Sequence, residues 1–477
     1  MPPSTDKIKP YAQLSLGALG LLFLLSIVWY KSRLYFADTS FILFNILKNK
    51  MLYIQEHRYG SIITQMFPYF GCKMHVPLPY VLKAYAFSFN FFYLVAGIVV
   101  YRCRQYGMVV LMALYYYLLV SDTFFSPANE IQQAIAWMFL FFAATLRMMQ
   151  LKVKNYYFYS VFLLLLFITV FTHFIVLIPL LFLWGFYWIR HEGWPWTVLQ
   201  GIVLSTFIIV AIAVRFAVVN QHSYDIEHLH NVAHLSFGGA FKAFFRDVVT
   251  NFVFRCFTNY WVIWMVLPLG LIYIIRSGQK WLTAWVVVSM LGYVALMGIT
   301  YDYKGRDTLL YQMESEWQSL GIIISAPFVY YFLPAVRLSR GLLLLAFIFA
   351  VRLCYIGAGG QKYFHRYEFL GSVMAQMRAK GITKLGLYRT GNINDICMLT
   401  WAIPDESMLM SAMHRDDPQI NFFITDPDDS ETRNKLSNPK IIYAAFEPFQ
   451  PSSWNFTYYK PDTIRPYVFM TYEELFR

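Results

Sequence analysis

Tyr156-Tyr-Phe-Tyr-Ser-Val-Phe-Leu-Leu-Leu-Leu-Phe-Ile-Thr-Val-Phe-Thr172-His173-Phe-Ile-Val-Leu-Ile-Pro-Leu-Leu-Phe-Leu-Trp-Gly-Phe-Tyr-Trp-Ile189 contains no acidic or basic side chain apart from one histidine. It is about twice the ~20 apolar residues that a bilayer core requires. The polar pair Thr172-His173 lies near its midpoint, where it suits a turn between two short helices. One long tilted helix is the alternative, and it would reverse the sidedness of everything downstream.

Comparable apolar runs lie on both sides. With the split at His173, spans are expected at roughly 13–30, 83–101, 107–121, 131–147, 156–171, 174–189, 198–218, 258–275, 281–299, 319–335 and 340–357. The fold class that follows is mainly α: a polytopic membrane helical bundle of about eleven transmembrane helices with a small C-terminal α/β domain. Composition agrees, with 58% hydrophobic and only 14% charged residues and a mean hydropathy of +0.46. Soluble domains carry nearer a quarter charged residues. The first run, Leu14 to Tyr30, has no small-residue cleavage pattern after it and reads as an uncleaved span. The net charge of +12 fits Lys and Arg retained in cytoplasmic loops. No run of five like charges exists to hold nucleic-acid phosphates, so nucleic acid is not an expected partner. Five scattered cysteines, none in a C-x-x-C pair, define neither a zinc site nor a disulfide framework.

Charge also suggests an orientation. Segments on the N-terminal side of the bilayer would carry Lys7/Lys9, Arg102/Arg104, Arg147/Lys152/Lys154, Arg190, Arg276/Lys280 and Arg337/Arg340. All are short and basic, which places the N-terminus in the cytoplasm. The opposite segments are longer and of mixed charge. The expected organisation is a membrane domain over 1–357, with external loops 31–82 and 219–257, and an extracytoplasmic α/β domain over 358–477. A bacterial inner (plasma) membrane is the expected location. Two external stretches read as amphipathic helices lying on the bilayer: Leu43, Phe44, Leu47, Met51 and Ile54 in one, Phe241 to Val253 in the other. In the C-terminal domain, Lys384–Tyr388, Asn421–Thr425 and Lys440–Ala445 read as strands and Tyr367–Lys380 as a helix.

Titratable residues collect near the external rim, and each has an ordinary reading beside a functional one. Asp38 opens the first amphipathic helix and could simply cap it. Glu56-His57-Arg58 puts three titratable groups in one loop. Asp122 and Glu130 flank a short turn, and His173 sits at the bend between two short helices. Glu314 and Glu316 precede a span, Arg306 lies in the loop before them, and Arg352 lies inside the last span, where a guanidinium must snorkel or pair. His228, His230 and His234 are spaced for one helix face and are weak candidate metal ligands.

An acidic residue opening the first external loop, a membrane-lying helix after it, about eleven spans and an external C-terminal α/β domain together resemble the GT-C glycosyltransferases. That resemblance implies a polyprenyl-phosphate-linked sugar donor and a first-loop acid as catalytic base, a position matched here by Asp38. The Asp-Glu pair frequent in that family is absent, since Thr39 follows Asp38. Such chemistry needs a carboxylate for the acceptor proton and cations for the leaving phosphate. Glu56, His57, Arg58, Asp122, Glu130, His173, Arg306, Glu314, Glu316 and Arg352 are the candidate substrate-binding residues. The expected function is sugar transfer from such a donor to a lipid, glycan or protein acceptor on the external, periplasmic face. The expected partners are the lipid bilayer, the donor and an acceptor of unspecified kind, with a divalent cation left open as cofactor. The alternatives are a polysaccharide polymerase or ligase, and a transporter or flippase of lipid-linked substrates.

Overall fold

A computed structural model describes residues 7–128, 130–190, 197–218, 237–301, 310–391, 393–446, 448–450 and 457–477. The chain runs through α1 (Lys9–Val28), α2 (Tyr30–Leu34), α3 (Asp38–Asn49), α4 (Ile62–Lys73), α5 (Leu78–Arg102), α6 (Tyr106–Leu118) and α7 (Glu130–Gln150). It continues through α8 (Asn155–Val170), α9 (Phe174–Arg190) and α10 (Val198–Val218). There follow α11 (Phe237–Ala243), α12 (Asp247–Thr258), α13 (Ile263–Arg276), α14 (Lys280–Thr300), α15 (Leu310–Trp317), α16 (Leu320–Ala335) and α17 (Leu338–Ala379).

The protein is mainly helical. Among the described residues six helices, α1, α5, α7, α10, α14 and α17, are long and apolar enough to cross a bilayer. The bent pairs α12–α13 (95°) and α15–α16 (51°) raise the number to eight if each pair is one span. Three further apolar helices, α6, α8 and α9, are shorter.

Tyr156–Ile189 is divided where Thr172-His173 predicts. Helix α8 ends at Val170, and His173 takes an extended conformation (φ −157°, ψ 143°). Its Nδ1 accepts the Ile175 N–H at 3.2 Å. The imidazole thereby satisfies one of the free donors at the start of the next helix. That bond leaves the proton of the neutral ring on Nε2.

The C-terminal domain contains β1 (Lys384–Tyr388), α18 (Ile393–Cys397), α19 (Ile403–His414), β2 (Asn421–Thr425), α20 (Ser430–Leu436), β3 (Ile442–Tyr443), β4 (Pro448–Phe449), β5 (Val468–Met470) and α21 (Tyr472–Phe476). Its sheet has the order β2-β1-β5, all parallel, with Leu385 opposite both Phe422 and Val468. The first two expected strands match β1 and β2, and the third shrinks to the two residues of β3. The helix α19 falls where no helix was expected.

Two sequence expectations change. The first amphipathic helix does not lie on the bilayer. Thr39 to Leu47 are all buried, polar residues included, because α19 and the C-terminal domain cover the face opposite the bundle. Leu43, Leu47, Val81, Leu370, Leu409 and Phe422 belong to one apolar core, so the first loop and the C-terminal domain fold as one unit. Second, the boundary expected at 357/358 falls inside a single 42-residue helix, α17. Gly357, Gly359 and Gly360 do not interrupt it. A Cβ on Gly360 would meet the Phe125 ring at 2.4 Å and one on Gly359 would meet Asp122 Oδ1 at 2.9 Å. Glycine here admits the 121–128 turn against the helix. The second amphipathic stretch is split between α11 and α12, with Val248, Val249 and Phe252 buried and Phe241 and Phe245 exposed.

Candidate active site

A cavity of about 1030 Å³ opens between α3, the α9 and α10 helices, α14–α15 and the C-terminal domain. Asp38, Glu56, Arg58, Glu130, His173 and Glu316 all reach its wall. The rest of the lining includes the uncharged polar residues Gln55, Ser126, Thr300, Gln312 and Ser315 and an apolar set, among it Ile178, Leu181, Ile212, Phe216 and Leu296. Leu181 and Phe216 are also exposed. One chamber therefore combines charged groups with apolar side chains.

Asp38 is the first residue of α3, after Ala37, which adopts φ +46°. The helix has no side-chain capping bond, so the ordinary reading of this carboxylate as a cap does not describe it. Among the described residues nothing hydrogen-bonds to the Asp38 carboxylate. Burial pushes its pKa up to about 6, with the Glu130 charge adding to the rise and Arg58 opposing it.

A buried clamp holds the turn before Asp38. Glu406, in α19, accepts the Ala37 N–H at 3.0 Å and the Ser40 hydroxyl at 3.4 Å through Oε1. Its Oε2 lies 2.7 Å from Arg366 Nη2, both side chains being fully buried. Arg366 in turn donates to Tyr35 O (2.7 Å), Cys397 O (2.7 Å) and Leu399 O (3.1 Å). The left-handed Ala37 is disfavoured for a residue with a Cβ. The ion pair supplies the compensating bonds on both sides of it.

Arg58 and Glu130 form an ion pair at 2.8 Å in the cavity wall. The turn before Arg58 has positive φ at both Glu56 (47°) and His57 (56°). Arg215, the one charged residue of α10, donates to Glu56 O at 3.1 Å and to His57 O at 3.4 Å. His57 itself is exposed, faces the Tyr59 hydroxyl (3.1 Å) and does not line the cavity.

Glu314 and Glu316 do not act as a pair. Glu316 reaches the cavity. Glu314 accepts from Ser121 N (2.9 Å), Ser121 Oγ, Thr123 N (2.7 Å), Thr123 Oγ1 (3.0 Å) and Tyr260 Oη (2.7 Å). It folds the 121–123 turn and lies outside the cavity wall. Asp122, in that turn, pairs with Lys362 and is 1% exposed. Burial and then the Glu314 charge hold its carboxyl above the usual range.

Arg352 does not line the cavity. It is fully buried and donates to Tyr117 O (2.9 Å), Val120 O (2.8 Å) and Asn259 O. These carbonyls lie at the C-terminal end of α6 and in the α12–α13 bend, where free acceptors need a donor. Arg33 is used in the same way, on Phe124 O at 2.5 Å and Asn90 Oδ1 at 2.6 Å.

Arg306 and the histidines His228, His230 and His234 lie outside the described residues. Among the described residues no group of three or more His, Cys, Asp or Glu is arranged to hold a metal ion.

Arg215, Arg366, Asp405 and Glu406 were not singled out from sequence. A signal existed for the two arginines. Arg215 is a lone charge in an apolar run, and Arg366 shares a helix face with Leu370, Val373 and Met377. Pro404-Asp405-Glu406 resembles an ordinary helix start, with Pro and acids in the first turn, and that pattern concealed its role.

No family model, no curated protein and no solved structure matches this chain. The geometry of the cavity is what a functional reading must stand on.

Proposed function

We propose that this protein is a membrane glycosyltransferase that moves a sugar from a polyprenyl-phosphate-linked donor to a hydroxyl of a lipid, glycan or protein acceptor. In this reading α6, α8 and α9 also cross, giving eleven spans, and the cavity opens on the external face of a bacterial inner membrane. The N-terminus is cytoplasmic and the C-terminal domain external.

The observation that carries the reading is one cavity whose wall holds both an unpartnered Asp38 carboxylate, with other charged groups, and the aliphatic side chains of Ile178, Leu181, Ile212 and Leu296. An amphiphilic donor fits that division: prenyl tail against Ile178, Leu181, Ile212 and Leu296, phosphate near Arg58. The acceptor hydroxyl gives its proton to Asp38 as its oxygen attacks the anomeric carbon. The bond from that carbon to the phosphate oxygen breaks, and the prenyl phosphate leaves with the electron pair. Arg58 offsets the charge that develops on it. Attack opposite the leaving group inverts the anomeric centre. Glu130 orients Arg58, and the Arg366–Glu406 clamp orients Asp38.

The test is transfer from labelled polyprenyl-phosphate sugars in membranes carrying the wild type or Asp38→Asn. Loss of transfer in the variant is the expected result. Full retention removes Asp38 as base, and no transfer by the wild type from any such donor removes the enzyme class.

A further inference from the structure

The transfer step above leaves one part of the cavity without a task. On the side of the C-terminal domain, the wall is made of Phe41, Tyr53, Trp401 and Phe446. Trp401 and Phe446 are stacked, with centroids 4.7 Å apart and an interplanar angle of 15°. Phe41 meets both edge-on, at 5.6 Å and 5.7 Å, and meets Tyr53 at 5.4 Å.

Phe446 is unusual in two respects. It is 69% exposed and its backbone is left-handed, at φ +74°. A bulky side chain adopts that region only when its surroundings impose it, and such strain gathers at ligand sites. The restraint is visible. Asp405 Oδ1 accepts the Ala445 N–H at 3.2 Å, and the Tyr443 N–H donates to the Tyr467 hydroxyl at 2.7 Å. Asp405 and Glu406 are neighbours in α19: one pins the chain before Phe446, the other pins the chain before Asp38. A single helical turn therefore sets the aromatic wall and the carboxylate relative to each other.

We propose that the Trp401–Phe446 wall is a saccharide subsite, which binds a pyranose ring of the acceptor through its C–H face and presents a ring hydroxyl to Asp38. This rests on the glycosyl-transfer reading only in calling the sugar an acceptor. A pyranose has one apolar face and a rim of hydroxyls. It needs an aromatic plane beside hydrogen-bonding groups. The Trp401 indole N–H makes no hydrogen bond among the described residues, and neither does the Asp38 carboxylate, so the cavity that holds the rings also holds a free donor and a free acceptor. A prenyl chain is better matched by the aliphatic side chains of Ile178, Leu181, Ile212 and Leu296. An extended peptide would need a strand edge, and the described cavity wall is made of helices and turns.

The experiment reads binding directly. Full-length protein in lipid nanodiscs is titrated with the methyl pyranosides of glucose, galactose, mannose and N-acetylglucosamine, and saturation transfer to the ring protons is recorded by NMR. At least one sugar is expected to receive saturation in the wild type. Phe446→Gly and Trp401→Ala should each weaken it roughly fivefold, and Phe446→Tyr should retain it. Glycine is at ease at φ +74°, so Phe446→Gly removes the ring while relieving backbone strain, and an unchanged melting temperature separates lost binding from misfolding. No saturation of any of the four sugars, or equal saturation in Phe446→Gly and Trp401→Ala, overturns the subsite. Ring-dependent sugar binding in a protein that transfers from no lipid-linked donor would uphold the subsite and remove the transfer reading.

Discussion

The Oε1 of Glu406 accepts the backbone N–H of Ala37 at 3.0 Å across 369 positions of sequence. The Asp38 carboxylate in the cavity wall thus takes its place from a helix in the C-terminal domain, and that domain is part of the site. Removing one partner of a buried ion pair typically costs about 3–5 kcal/mol, because the other charge is left unpaired. Glu406→Ala should therefore lower the melting temperature in detergent and abolish transfer. The double variant Arg366→Met/Glu406→Leu removes the unpaired charge but leaves the Ala37 N–H and the Tyr35, Cys397 and Leu399 carbonyls without these partners, so it should recover only part of the melting temperature and no transfer. Recovery of both would reduce the clamp to a packing feature.

The raised pKa of Asp38 sets a pH dependence. A base must be ionised, so transfer should be half-maximal near pH 6, level off about one unit above it and fall as pH drops below it. An ordinary aspartate would keep its activity about two units lower. Arg58 favours the ionised form, and its removal in Arg58→Gln should move the acidic limb to higher pH. Glu130→Gln should move it to lower pH. Initial-rate profiles with a labelled donor read both shifts, and a limb that ignores both variants would point to another base.

Glu314 has a different role, which stability measurements will separate from catalysis. Replacing it with Ala leaves the Ser121 and Thr123 N–H groups and the Tyr260 hydroxyl without their acceptor. Each buried orphan costs on the order of 1–3 kcal/mol. Glu314→Ala should lower thermal stability more than Asp38→Asn does, and a melting curve for each variant checks the order.

Arg215 holds a turn that both Glu56 and His57 enter with positive φ. In Arg215→Met that turn loses its restraint while α10 keeps its apolar character. Hydrogen exchange over residues 55–59 should speed up, with the exchange of α8 unchanged. Equal acceleration along α8 would mean that Arg215 holds the helices together instead.

Periodicity and run length made the membrane helices and the split at His173 legible, because lipid imposes a length and a polarity on every helix. The first two strands of the C-terminal sheet were legible from short apolar runs between turn residues. The burial of α3 was not. A helix with one apolar face reads the same whether its polar face meets water or a second domain, and only Thr39, Ser40 and Asn45 in place disclose the latter. Asp38, Glu56, Arg58, Glu130, His173 and Glu316 line one cavity, whereas Arg352 and Glu314 turn inward onto backbone groups. Sequence position shows that a charge must be satisfied; it does not show whether the partner is a ligand or a carbonyl 200 residues away.

Arg352 and Arg366 lie on the same unbroken helix α17, fourteen residues apart, which is about 21 Å along its axis. Fourteen residues at about 100° each bring the helix back to within about 40° of the same azimuth. One rod therefore carries two grips in phase: the upstream one on carbonyls of the bundle, the downstream one on the turn before Asp38. Phase is more fragile than length in such a device. One inserted residue between the grips would raise the second by only about 1.5 Å but swing it about 100° away from Tyr35 and Glu406. Seven inserted residues would restore the azimuth and lift the grip by about 10 Å. The spacing of these arginines is thus a gear setting, and the carboxylate faces its cavity only when the count is right.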